Sequence, residues 1–279
     1  MKTPQLFSHS AVESLLPEVL GDRFQELAFK LARKAGHRCE VTGYPYPAIK
    51  PQPGKKNPST VLMMEVRDTD GNNQPMAPVA IKKRLKAEGL TPKTVRMVCP
   101  LVFWSRHVDL ALKYGRGELI FAPWMTQGEA VTLFRTLMIA DAQTGHDPDH
   151  PAYEQASEVI DAVALQMGNH GLLNEVLALP EDTEWDSEVW LKTLKQLTKR
   201  ERRVYIDRFA KHLRLWPSKT SFSVLSGYWA NNAHAPDAAL NPDSHESRPS
   251  GNWVRRYYPI FTDSLDILTE RNRAKAKTT

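Results

Sequence analysis

The sequence predicts an α+β fold in which helix predominates, and three observations carry that expectation. First, the stretch 118–129 (Glu-Leu-Ile-Phe-Ala-Pro-Trp-Met-Thr-Gln-Gly-Glu) joins a short apolar run to a longer segment with helical periodicity. Leu119, Ile120 and Phe121 read as a buried strand, Pro123 stops it, and Thr126-Gln127-Gly128-Glu129 has the T-x-x-E form of a capping box. The helix opens at about Gln127. Ala130, Val131, Leu133, Phe134, Leu137, Met138 and Ile139 cover more than half its circumference, which marks a central helix with little solvent face. Second, the chain from there to about residue 230 reads as a succession of helices. Third, strand character is confined to short runs such as Val61-Leu62-Met63-Met64-Glu65-Val66. The central stretch organises the fold but holds no catalytic constellation, so chemistry has to be sought elsewhere.

Composition sets the bounds. A chain of 279 residues that is 41% hydrophobic buries a real core, either as one domain with appendages or as two small domains. There is no apolar run of about 18 residues, and Ser8, His9, Ser10, Glu13 and Glu18 break up any leader pattern in 1–20, so the expected compartment is the cytoplasm. Cys39 and Cys99 are too few for a disulfide framework, which agrees with a reducing compartment. The formal net charge of +5 gives weak attraction to anionic partners and singles out no class of them.

Taken in order, the chain opens with helical pieces. Ser10 caps a helix over 11–20 and Asp22 caps another over 23–35, where Phe24, Leu27, Ala28, Leu31 and Ala32 share a face and Gly36 ends it. The Pro-, Lys- and Gly-rich segment 44–59 reads as an irregular loop, 61–66 as a strand and 70–73 as a turn. Lys82, Lys83, Arg84, Lys86, Lys93 and Arg96 make 75–100 basic, either as a solvated helix face or as phosphate contacts. A helix is expected over 99–113, followed by the turn Tyr114-Gly115-Arg116-Gly117 into the central strand. Further helices are expected over 153–166, 172–179, 189–197, 201–213 and 220–229, with an acidic connection at 181–188 and a break at 213–219. The expected organisation is an amino-terminal part over 1–143, a helical part over 144–230, a linker over 231–252 and an aromatic and basic extension over 253–279.

Two short patterns bear on chemistry. Cys39-Glu40-Val41-Thr42-Gly43 has the shape of a C-x-x-C-G zinc knuckle with Thr42 in the second ligand position, and Cys99-Pro100-Leu101-Val102 resembles a C-x-x-C pair with Val102 in that place. A structural zinc site needs four deprotonable ligands, so the knuckle is degenerate and no zinc or other cofactor is expected. His37 and His107 are the available substitutes, giving His37, Cys39, Cys99 and His107, but His37-x-Cys39 is tighter than a usual knuckle. Without metal, the two cysteines pack as small hydrophobes. A knuckle, a strand, an Asn-containing turn and a second cysteine element form the layout of an HNH-type ββα nuclease. That chemistry needs a histidine base and metal-holding side chains, and no histidine lies between His37 and His107. Asp68, Asp70, Asn72 and Asn73 read as metal-binding remnants or simply as a turn. Ser8-His9-Ser10 and Asp147-Pro148-Asp149-His150 lie in a terminus and a loop, and Tyr114 to Gly117 precedes a strand, whereas a phosphate-cradling loop follows one. No catalytic residue is assigned.

Several motifs together resemble a known family. Cys39-x-x-Thr42-Gly43, Cys99, Tyr114-x-x-Gly117-x-Leu119-Ile120-Phe121-x-Pro123-x-x-Thr126-Gln127, and Leu213-Arg214-Leu215-Trp216-Pro217-Ser218-Lys219 resemble in order and spacing the IcmJ/DotN proteins of type IVB secretion and conjugation systems. The match spans roughly 20–230 and is dense only in the last two motifs. The resemblance implies a degenerate HNH-like (ββα) zinc-knuckle core followed by a helical half. It also implies a non-enzymatic cytoplasmic adaptor, peripheral to the inner membrane through the coupling complex, that binds the carboxy-terminal tail of the coupling ATPase. Thr42 and Val102 depart from the family's ligand pattern, the segment between Cys39 and Cys99 is longer and richer in proline and lysine, and nothing after about Ala230 has a counterpart.

For such an adaptor, Trp124, Trp216, Phe222 and Trp229 are the candidate partner anchors, each with a core reading beside it. The alternative is a DNA-binding component of conjugation or a relict HNH nuclease, with Lys82, Lys83, Arg84, Lys86, Arg255 and Arg256 on phosphates.

Overall fold

A computed structural model describes residues 7, 8, 10–49, 59–71, 74, 76–123, 125–144, 187–209 and 212–231 of the chain. The expected elements at 153–166 and 172–179, the acidic connection up to 186, the linker and the carboxy-terminal extension lie outside the described residues. The described chain is mixed α+β with small antiparallel sheets. It groups into two units, 7–107 and, after it, the residues from Val108 onward. The first boundary expected from sequence fell after 143. The grouping divides earlier because the central strand pairs with a segment nearly a hundred residues downstream and carries its flanking helices along.

In the first unit, the helix expected over 11–20 is two short ones, α1 (Ser10–Glu13) and α2 (Pro17–Leu20). Pro17 has no N–H to donate, so one ladder cannot run through and the chain restarts with proline in the first turn. Helix α3 (Asp22–Lys34) buries Phe24, Ala28, Leu31 and Ala32, as its periodicity predicts. It stops at two consecutive left-handed residues, Gly36 (φ 64) and His37 (φ 53), and the His37 N–H returns to the Ala32 carbonyl at 2.7 Å. Strands β1 (Ala48–Ile49) and β2 (Ser59–Thr60) pair within the segment expected to be irregular.

Strand β3 (Met63–Val66) pairs antiparallel with β4 (Val95–Val98), in register from Met63 opposite Val98 to Val66 opposite Val95. The expected basic helix face is α4 (Pro78–Glu88), inserted between the two strands. Strand β4 was hidden in the basic segment because Lys93 and Arg96 mask a four-residue run whose Val95, Met97 and Val98 are buried. Helix α5 (Pro100–Arg106) follows, so the order is strand, strand, helix, with α3 and α5 packed on the strands. The expected helix 99–113 breaks at His107, which leaves helical geometry (φ −126, ψ 68), and resumes as α6 (Val108–Lys113).

In the second unit, β5 (Gly117–Phe121) pairs antiparallel with β6 (Leu213–Pro217), from Gly117 opposite Pro217 to Phe121 opposite Leu213. Helix α7 (Gln127–Thr144) opens at the expected residue, with the capping box formed in both directions: Thr126 N–H to Glu129 at 2.7 Å and Glu129 N–H to the Thr126 hydroxyl at 3.2 Å. Helices α8 (Ser187–Gln196), α9 (Lys199–Phe209) and α10 (Lys219–Asn231) match three expected ones, except that α9 ends before 213. Leu213-Arg214-Leu215-Trp216-Pro217 is a strand instead, buried at every position. The core here is α7 against β6 and α10, where Phe134 meets Trp216 and Phe222 edge-on at 5.6 and 5.9 Å.

Candidate functional site

The turn that carries Cys39 is built by its backbone. The chain turns back between Arg38 and Pro45, the Cys39 N–H reaches the Tyr44 carbonyl at 2.9 Å, and the Gly43 N–H returns to the Cys39 carbonyl at 2.7 Å. Gly43 takes φ 73, which glycine adopts without strain. This turn delivers Cys39 to the start of α5, where Cys99 is the N-cap and its N–H donates to Cys39 Sγ at 3.2 Å. The remaining two positions of the pattern arrive at the same place. The Thr42 hydroxyl and N–H face Cys39, and the Val102 N–H faces Cys99. Residues 60 positions apart thus meet where a turn packs against a helix start, both cysteines free and buried.

The pair is electrostatically asymmetric. The hydrogen bond from the Cys99 thiol holds the Cys39 thiol down at about 5; burial opposes this, while the Thr42 hydroxyl and the backbone N–H groups of Cys99 and Thr42 reinforce it. Burial pushes the Cys99 thiol up, and the neighbouring Cys39 sulfur pushes it further. Of the two sulfurs, Cys39 is the one whose surroundings favour negative charge.

Zinc, which the family resemblance implies, does not fit this donor set. Val102 presents no ligand atom and Thr42 a neutral hydroxyl, and among the described residues no three His, Cys, Asp or Glu side chains converge. The substitute ligands are not brought in either. His107 Nε2 is engaged with Glu65 at 3.1 Å, and His37 lies against the Phe29 ring, centroids 5.4 Å apart.

A cleft of about 350 Å³ opens beside the knuckle. Its apolar lining includes Leu31, Pro92, Val95 and Met97, Lys34 and Arg38 bring positive charge, and Cys39 lies on its wall. Its one acid, Glu40, is already committed: Glu40 accepts from the Met97 N–H at 2.7 Å and from the Arg67 guanidinium.

Glu65 was missed at the level of sequence. Its side chain is 1% exposed on β3, with Arg96 Nε at 2.5 Å, Arg106 Nε at 2.7 Å and His107 Nε2 at 3.1 Å. Burial pushes its carboxyl up, but the His107 hydrogen bond and the charges of Arg106 and Arg96 outweigh that and bring it to about 2. One signal pointed to it: a lone acid inside the apolar run Val61 to Val66 needs a cationic partner if that run is buried. The site joins β3, β4 and α5 at the level of charge. Asp68 sits 3.5 Å from Arg106, and Asp70 closes its turn by accepting from the Gln74 N–H, so each of these two acids has a structural partner.

The two dense motifs of the family resemblance meet in the second unit. Gly117 to Phe121 is β5 and Leu213 to Pro217 is β6, so the motifs are the two halves of one ladder. Gln127 closes the outer side of β6 with both ends of its amide, donating to the Leu215 carbonyl and accepting from the Leu215 N–H, each at 2.8 Å. Arg214 donates to the Met125 carbonyl, and Lys219 reaches Asp141 at 3.0 Å. Gly117 admits no side chain, since a Cβ there would lie 2.5 Å from the Trp216 carbonyl oxygen.

The candidate anchors divide accordingly. Trp216 and Phe222 are 6% and 2% exposed, and their rings are spent on Phe134 in the core. Trp124 lies outside the described residues, and Trp229 is placed only by its backbone in α10. Of the basic candidates, Lys82, Lys83 and Lys86 are exposed on α4. Arg84 faces inward instead, donating to the Lys93 carbonyl at 2.5 Å and pairing with Glu88 at 3.4 Å. Arg255 and Arg256 lie outside the described residues. No family model matches the chain, and the search of curated proteins finds no match either. Among the described residues no helix is long and apolar enough to cross a membrane.

Proposed function

We propose that this chain is a non-enzymatic adaptor of a type IV, type IVB-like, secretion or conjugation coupling complex, held at the inner membrane through that complex and binding the carboxy-terminal tail of the coupling ATPase. One observation carries the reading. The two motifs that most resemble the IcmJ/DotN proteins are separated by almost a hundred residues, yet they pair as β5 and β6 and are locked together by Gln127 and Gly117. Motif residues that specify one local structure are a stronger basis for a resemblance than scattered identities. The knuckle and the β3, β4, α5 succession support an HNH-like core in the same way, by position. The cleft beside the knuckle suits the side chains of an extended or helical peptide, with an apolar floor and the positive charge of Lys34 and Arg38.

The test uses the purified full chain and synthetic peptides tiling the tail of the coupling ATPase of its own host, followed by calorimetry. One segment is expected to bind saturably with one-to-one stoichiometry, and the tagged chain is expected to bring the ATPase with it from gently lysed host cells. Absence of both would remove the adaptor reading. The second reading, a DNA-binding component or relict nuclease, rests on the three exposed lysines of α4.

A further inference from the structure

We propose that Cys39 and Cys99 together form a binding site for one soft monovalent cation of the Cu(I) or Ag(I) class, held between their two sulfurs. This stands independently of the adaptor reading.

Two sulfur donors stand where the sequence pattern has four positions. The fold brings Cys39, Thr42, Cys99 and Val102 to one point, but only two of them supply sulfur. Zinc wants four ligands in a closed tetrahedron and finds two, with an apolar side chain at a third position. A monovalent ion with a filled d shell is content with two, and thiolate sulfur is the donor that selects it. Donor groups approach both sulfurs; they favour negative charge on Cys39, whereas burial disfavours it on Cys99 until a cation offsets it. The N–H groups of Cys99 and Thr42 and the Thr42 hydroxyl face Cys39, while the Val102 N–H and the Tyr46 hydroxyl approach Cys99. Neutral thiols are weak acceptors, so these donors are better matched to thiolates than to thiols. Two adjacent thiolates repel one another unless a cation lies between them. Binding exchanges the remaining thiol proton for the cation, and the resulting bis-thiolate complex carries one negative charge, which those donors stabilise by hydrogen bonding.

The pair is buried, at 0% and 2% exposure, and Cys39 is among the residues that line the cleft. Met97, whose thioether is a second soft donor type, lines the same cleft. The positions that decide the metal class are Thr42 and Val102.

The experiment titrates the reduced, chelator-stripped full chain with Cu(I) under argon against a chromophoric Cu(I) chelator, with native mass spectrometry for stoichiometry and Zn(II) run in parallel. One Cu(I) or Ag(I) per chain is expected to survive desalting while Zn(II) does not. Cys39→Ser and Cys99→Ser, each checked for folding by circular dichroism, should each weaken Cu(I) binding by at least about 100-fold, since losing a ligand costs no less than losing the group that orients it. Should either variant fail to fold, the double variant Thr42→Cys with Val102→Cys carries the test: completing the four sulfurs should turn the preference toward one retained Zn(II). Retention of Zn(II) by the unaltered chain, failure to hold Cu(I), closure to a disulfide without retained metal, Cu(I) affinity unchanged in both serine variants, or no gain of zinc in the double variant would each overturn the proposal.

Discussion

Glu65 shows how one buried charge is made tolerable. An isolated carboxylate in a core is costly, and here both oxygens are taken, one by Arg96 and the other by Arg106 and His107. The folded carboxyl titrates at about 2, against an ordinary value of 4.5. Its stabilisation is therefore fully present above pH 4.5 and is lost as the pH falls toward 2, because in that window the unfolded chain takes up a proton that the folded one refuses. A shift of this size corresponds to something on the order of 3 kcal/mol. Glu65→Gln should destabilise the protein by about that much at pH 7 in urea unfolding, with the gap to the unaltered chain narrowing steadily between pH 4.5 and 2. A gap independent of pH would mean that the carboxylate's charge is not what holds the cluster. The acid itself was readable as an anomaly in an apolar strand. Its partners were not, since Arg96 and Arg106 lie 31 and 41 residues away and only the β3, β4, α5 arrangement brings them in.

At the scale of elements, each of two small sheets has an outer side closed by a polar side chain. Glu40 does this for β4 through the Met97 N–H, and Gln127 does it for β6 through both main-chain groups of Leu215. An uncovered strand edge carries unpaired donors and acceptors, and burying it unsatisfied is expensive. Gln127 is 1% exposed, so Gln127→Ala leaves two buried backbone groups without their partner and should cost about 2–4 kcal/mol. Gly117→Ala tests the other lock, where a methyl would meet the Trp216 carbonyl at 2.5 Å; a loss of about 2–3 kcal/mol is expected from such overpacking. Thermal unfolding followed by tryptophan fluorescence reads both, and unchanged midpoints would show that the β5 and β6 pairing is looser than its geometry implies. The helix start at Gln127 was legible in the sequence because a capping box is a local signal. The role of Gln127 in holding β6 was not, since nothing within a few residues of it points to Leu215.

At the scale of the whole molecule, the question is what the surplus of positive charge does. Lys82, Lys83 and Lys86 stand exposed on α4, whereas Arg84 is engaged internally, so the basic cluster is smaller at the surface than in the sequence. The adaptor reading expects the full chain to leave a DNA column at low salt, with no change when the three lysines become alanine. Retention whose log–log salt slope falls by about 3 in that triple variant would favour the nucleic-acid reading, because each lysine that neutralises a phosphate adds about one unit to the slope.

By itself the sequence determined the character of the chain: a helix-rich α+β protein, the central strand through Leu119, Ile120 and Phe121, the helix opening at Gln127 and the stripe of α3. All of these rest on periodicity, caps and turn residues, which act within a few positions of one another. Only the tertiary structure decided that Leu213 to Pro217 is a strand, that Trp216 and Phe222 are core, that Glu65 is neutralised by residues from two other elements, and that Cys39 and Cys99 face one another. Each of those depends on pairing or burial between segments far apart in the chain. Local propensity carries no record of which distant backbone will satisfy a strand edge, or which distant charge will offset a buried one.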